Sequence, residues 1–165
     1  MKQQSVWFRD NFFSSGTTEI WDQEEQVVGQ LDLMSMFNSG IQVKDAQGHV
    51  EVIGKFRLFS NKWIVMSGNG TEIGLLSARL AFLSKKYEYE SYRHGLFEIR
   101  SEAFSNEYEI QDSRGQAAAS FTKVSGFGVA RAYRLHNHTN VPTEEWIAVV
   151  MGVHAIQKRR RSSSS

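Results

Sequence analysis

The chain has 165 residues, a formal net charge of +1 and no cysteine. Those values exclude disulfides, thiolate chemistry and a cysteine-based zinc site, and they leave no global field to draw the protein onto nucleic acid. The hydrophobic share of 41% and charged share of 22% are those of an ordinary globular domain, long enough to bury one sizeable core. A single proline against 13 glycines suits a sheet with tight turns, because proline cannot donate to a ladder and glycine serves turns and crowded strand positions. The opening MKQQSVWFRD has no apolar signal-peptide core, so the expectation is a soluble cytoplasmic protein, one domain over residues 1–157 and a monomer.

Taken in chain order, alternating apolar residues and turn chemistry predict about twelve strands. They fall at 5–9, 17–22, 26–31, 40–44, 49–56, 62–66, 71–76, 86–92, 95–100, 107–111, 116–123 and 128–135. Many belong to a repeated hairpin with a step of roughly 20–25 residues. A short strand runs into Asp22-Gln-Glu, Asp45-Ala-Gln-Gly48, Ser67-Gly-Asn-Gly70 or Asp112-Ser-Arg-Gly115, and a second strand follows. Tyr87–Tyr92 turning at Arg93-His94-Gly95 is a degenerate fifth copy. After the turns a small residue precedes a large one by two: Gly29 and Leu31, Gly54 and Phe56, Gly74 and Leu76, Ala119 and Phe121. Period-2 geometry sends each pair to one face, where the small residue lets a bulky object approach the backbone. Between hairpins an apolar residue and a serine recur, at Phe13-Ser14, Phe59-Ser60, Leu83-Ser84, Phe104-Ser105 and Val124-Ser125. Serine there can bond local backbone and end a strand.

The last element explains what the strands are for. From Trp146 to Ile156 only His154 interrupts an apolar run with no polar face. A helix apolar all round must be buried all round, and eleven residues rise only about 16 Å, too short for a bilayer. Pro142 suits a helix start, Glu144 and Glu145 its positive end, and Lys158 with Arg159–Arg161 its negative end. The prediction is therefore a mostly β protein: a closed antiparallel barrel of about twelve strands built of repeated hairpins, wrapped around a central hydrophobic helix over about 143–157. A basic, serine-rich and disordered tail is expected over 158–165.

This ordered set of segments resembles the tubby-like C-terminal superfamily, and within it the LURP-one-related proteins of bacteria and plants, with the phospholipid scramblases more distant. The resemblance is carried by Phe12-Phe-Ser-Ser-Gly16, Ile41–Gly48, Gly54-Lys-Phe56, Tyr108–Gly115 and Trp146–Met151. It implies a barrel threaded by its C-terminal helix. Two features depart from the family pattern: Gly152-Val-His154 stands where bacterial members keep an acidic residue, and Lys123-Val-Ser-Gly126 lacks a tryptophan-containing lead-in. The scramblases' palmitoylated cysteine segment and acidic calcium motif are missing too, so lipid scrambling is not expected. Such folds host diverse functions, so function must come from a site.

Candidate chemistry is sparse. The tubby relation implies contact with anionic lipid headgroups, for which the available residues are Arg79, Lys85, Lys86, Arg131, Arg134, Lys158, Arg159, Arg160 and Arg161. At about 1 kcal/mol per basic residue near an anionic surface, four of them give a weak, salt-sensitive attachment. The plainer reading is that strand lysines guard edges and the tail completes a helix. His136 and His138 have metal-compatible spacing but no evident third ligand, and read as loop. His154 reads as a neutral core residue hydrogen-bonded to a strand tyrosine. Glu88, Glu90, Glu98 and Glu102 read as solvent-facing strand positions. No nucleophile elbow, P-loop or dinucleotide fingerprint occurs, so no catalytic residue, cofactor or metal is assigned. The expected function is a non-enzymatic binding or scaffold protein for an unknown protein or lipid ligand. Peripheral binding to anionic lipid is the alternative, and an unrecognised enzyme a second one.

Overall fold

The computed structural model describes residues 5–9, 16–33, 40–80, 84–102, 104–126 and 129–163, with backbone alone over 125, 126 and 129–131. The first six strands are β1 (Ser5–Arg9), β2 (Thr17–Trp21), β3 (Val27–Asp32), β4 (Ile41–Asp45), β5 (Val50–Phe56) and β6 (Trp63–Ser67). The next six are β7 (Glu72–Arg79), β8 (Ser84–Ser91), β9 (Gly95–Glu102), β10 (Glu107–Asp112), β11 (Ala117–Gly126) and β12 (Val129–Asn137), followed by helix α1 (Thr143–Ser163). Each strand pairs antiparallel with its sequence neighbours, and β1 closes the ring on β12 with Ser5 opposite His136. The twelve-stranded closed barrel expected from the sequence is the architecture observed.

Antiparallel order makes the connections alternate between two ends of the barrel. The turn end carries the β2–β3, β4–β5, β6–β7, β8–β9 and β10–β11 hairpins and the entry to α1. The loop end carries the remaining connections and the C-terminus of α1. At the turn end one aspartate oxygen organises each of three hairpins. Asp22 Oδ1 accepts the N–H of Glu24 at 2.9 Å and of Gln26 at 3.0 Å. Asp45 does the same for Gln47 and His49, and Asp112 for Arg114 and Gln116. Three residues after the turn's first member the backbone is left-handed, with φ of +88° at Gly48, +86° at Gly70 and +77° at Gly115. Glu25 fills the same place in the first repeat at +58°.

Helix α1 runs inside the barrel. Trp146, Ile147, Ala148, Val149 and Val150 are all fully buried, so no face of the helix meets water. Strand rings wrap it: Phe97 and Tyr89 meet Trp146 edge-on at 5.0 and 5.8 Å, while Tyr108 stacks on Phe121 at 4.4 Å and Phe8 on Tyr133 at 5.3 Å. Geometries of this kind add about 0.5–1.5 kcal/mol per pair beyond area burial. Trp63 Nε1 donates to the Ala148 carbonyl at 3.1 Å. That approach needs Gly152, one turn on, because a Cβ there would strike the Trp63 indole and Leu76.

Three sequence expectations are corrected. The helix does not stop near Gln157 but continues to Ser163, so the basic run 158–161 is helical rather than a disordered tail. The bulky object that the small residues were expected to admit, the central helix, is not what Gly54 and Gly74 meet. A Cβ at Gly54 would hit the Trp63 indole, and one at Gly74 the Tyr89 hydroxyl, so these glycines make room for aromatic rings of neighbouring strands. Two of the apolar-serine pairs open a strand rather than end one, whereas Val124-Ser125 stands at the end of β11 as expected. Ser60 Oγ accepts the N–H of Lys62 at 3.1 Å, and Ser105 Oγ that of Glu107 at 3.0 Å, each just at the start of the next strand. Phe13-Ser14 and Leu83 lie outside the described residues, as does Phe12–Ser15 of the family-like set.

Candidate functional site

Several polar groups in the lumen bond one another. His154 Nδ1 lies 2.6 Å from the Tyr133 hydroxyl, the strand tyrosine expected for it. Glu145 Oε1 accepts from Tyr89 at 2.6 Å and Ser91 at 2.8 Å. Burial, and then the Glu145 charge, push the Tyr89 hydroxyl far above the usual tyrosine range, so it remains a donor at any ordinary pH. Glu144 and Glu145 stand in the first turn of the helix, as expected, and are buried at the turn end. These clusters fix the helix in register and are closed to solvent.

On the outer wall, basic residues are tied to acids. Glu88 and Glu98 face each other across β8 and β9, a like-charge pair. Arg79 takes Glu88, while Lys86 at 3.2 Å and Arg100 take Glu98. A shallow groove of about 1000 Å³ crosses β8 to β12 between Lys86, Arg100, Glu102, Glu107, Arg134 and His136. Its charges are mixed. His136 also bonds Ser5 Oγ at 2.7 Å, and burial, then Arg134 and His138, hold its pKa below the usual imidazole value. Among the described residues no group of three or more His, Cys, Asp or Glu side chains could hold a metal ion.

The loop end is different in kind. Lys85 points into the barrel mouth, donates to the Ser105 carbonyl at 3.1 Å and lies over the Tyr108 ring at 5.5 Å. Lys123 donates to Gln157 Oε1 at 3.1 Å, and Gln157 donates to the Tyr108 hydroxyl at 2.5 Å. Burial raises the Tyr87 hydroxyl pKa against the pull of Gln157, and Arg160 and Arg161 belong to the last turn of α1, which ends at this mouth. Arg159 lies 3.4 Å over the Phe56 ring and donates to the Ser60 carbonyl at 3.0 Å, beside a cleft of about 410 Å³ bordered by Leu58 and Phe59. Around this cationic mouth stand bare apolar tips. Leu58 is 80% exposed, and Phe59, Leu80 and Phe104 are 99–100% exposed, on three separate connections.

The structure thus divides the nine candidate cations. Lys85 and Lys158–Arg161 gather at the loop end with Lys123, whereas Arg79, Lys86 and Arg134 lie on the outer wall. The Arg131 side chain lies outside the described residues. Sequence reasoning missed Lys123 and the four apolar tips. Phe59-Ser60 and Phe104-Ser105 were read for their serine, but the phenylalanine is the more informative half. The usable signal was that alternate connections are polar turns, such as Asp45-Ala-Gln-Gly48 and Asp112-Ser-Arg-Gly115, while the intervening ones carry Phe and Leu. Among the described residues no helix is long and apolar enough to cross a membrane. No family model, curated protein or solved structure matches this chain.

Proposed function

We propose that this barrel is a non-enzymatic binding module of tubby-like, LURP-one-related type that works through its outside. The observation that carries this reading is the apolar helix filling the lumen, where ligand-binding barrels keep their cavity. The buried titratable groups Glu145, Tyr133 and His154 bond partners within the wall and helix, and do not converge on an open cleft. A second reading, contact with anionic lipid headgroups, is favoured by one observation. Lys85, Lys123 and Lys158–Arg161 share one end although the whole chain is nearly neutral.

A screen of the purified chain against lipid vesicles, peptides and small metabolites at low and physiological ionic strength tests both. Saturable binding without chemical change of the ligand supports the binding module. Steep loss of vesicle binding with salt supports the headgroup reading, because exposed charges are screened over about 8–10 Å. Turnover of any metabolite would overturn the first proposal.

A further inference from the structure

Building on the headgroup reading, we propose that the loop end docks onto an anionic bilayer by insertion. Leu58, Phe59, Leu80 and Phe104 enter the acyl boundary while the helix-end cations meet headgroup phosphates. The barrel axis then stands along the membrane normal with the turn end facing water.

Four observations carry this. First, the tips are bare, three of them almost completely, and stand on separate connections, β5–β6, β7–β8 and β9–β10, at one end of the barrel. Acyl chains can fill the gaps between isolated tips, whereas a folded protein partner needs a continuous complementary patch. Second, Phe59 and Phe104 hold φ of +54° and +66°, a left-handed state that bulky side chains rarely adopt. The chain tolerates it to present rings that contribute nothing to the core. Third, the cations lie beside the tips, with Arg159 fixed against Phe56 at the end of β5 and against the Ser60 carbonyl in the loop that carries Leu58 and Phe59. Phosphates lie immediately above the acyl boundary in a bilayer, so this stacking of apolar and cationic layers matches the membrane's own. Fourth, the outer wall carries Arg79, Lys86, Glu88, Glu98 and Arg100, unsuited to hydrocarbon, which limits entry to the tips. A second copy of this chain fits less well, since pairing two loop ends would set the same cations against each other.

The test uses the full chain and vesicles of phosphatidylcholine with or without a quarter of phosphatidylglycerol. Wild type should sediment with the anionic vesicles. The triple variant Phe59→Ser, Leu80→Ser, Phe104→Ser should bind at least about tenfold more weakly, since affinity scales with inserted apolar area plus charge. It should melt like wild type, because those side chains touch no core. As the chain has no cysteine, Leu80→Cys gives a unique attachment point for an environment-sensitive dye. Its emission should shift to the blue on vesicle addition and be quenched by brominated acyl chains. A dye that stays in water, or a triple variant that binds like wild type, overturns insertion. If binding also disappears on Arg159→Gln, Arg160→Gln, Arg161→Gln, the headgroup reading survives without it. Absence of any vesicle binding overturns both. A wild-type dimer in sedimentation that the triple variant abolishes would overturn the proposal in favour of self-association.

Discussion

The two ends of the barrel meet the same geometric demand and answer it differently. Each must reverse the chain within a few residues, and each uses a left-handed residue to do so. At the turn end that residue is glycine in four hairpins (Gly48, Gly70, Gly95 and Gly115) and Glu25 in the fifth, and in three of the five an aspartate collects the orphan N–H groups. At the loop end, among the described residues, it is Gly40, Phe59 or Phe104, the two phenylalanines standing ring outward with only a serine hydroxyl behind them. A left-handed non-glycine residue costs roughly 1–2 kcal/mol, and an exposed phenylalanine returns none of it. The turn end is held by hydrogen bonds to its own backbone, while the loop end puts two strained phenylalanines into the open, where the docking proposed above would use them.

The largest effect lies in the core that both ends share. Val149→Asp or Val153→Asp should leave no soluble, cooperatively unfolding protein, because an unpaired carboxylate would sit in the dry lumen. Circular dichroism on the purified variant decides it. Next come the close approaches along the wall. Gly74→Val against the Tyr89 hydroxyl, and Gly152→Ala against Trp63, should each cost about 1–3 kcal/mol in urea denaturation. The second is the sharper test, since alanine is otherwise the better helix former.

Smaller substitutions separate the ends directly. Phe59→Gly, Phe104→Gly and Glu25→Gly should each stabilise by about 0.5–1 kcal/mol, relief of the left-handed strain less the extra freedom of glycine when unfolded. Only the two loop-end changes should also weaken vesicle binding. A destabilised Phe59→Gly would mean that the ring supports the fold.

The smallest effect is acid sensitivity. The Gln116 N–H, and then the Arg114 N–H and charge, hold the Asp112 carboxyl below its ordinary value of 3.8. A depressed carboxylate adds stability that is present above the unfolded value and is lost as pH falls through the folded one. Amide exchange in the β10–β11 turn should therefore quicken in that acid window, while the serine-capped loops at the other end stay unchanged. An Asp112 titration by NMR at or above 3.8 would remove the basis for this.

The fold was legible because each hairpin announces its turn and because an eleven-residue run without a polar face can only be enclosed. What lay opposite each small residue was not legible. Spacing places Gly54 and Gly74 on the inner face, but only register sets the Trp63 and Tyr89 rings against them. The helix end at Ser163 was hidden because Lys158–Arg161 and the serines look like a solvated tail, whereas Arg159 gains a ring and a carbonyl across the barrel mouth. The cation cluster was half visible. Lys158–Arg161 stand out as a run, but Lys85 and Lys123 join them only once antiparallel order assigns alternate connections to one end.

The filling of this barrel is made last. Trp63 bonds a residue 85 positions later, Ser60 one 99 later, and Ser5 one 131 later. During synthesis every strand emerges before the helix, at about 5–20 residues per second, so for several seconds the nascent wall has nothing to close on. Its inward rows of Phe, Tyr and Leu are then open to water and to other nascent chains. Contacts this distant in sequence also make folding intrinsically slow. A stalled chain truncated before Trp146 is thus a natural client for chaperones.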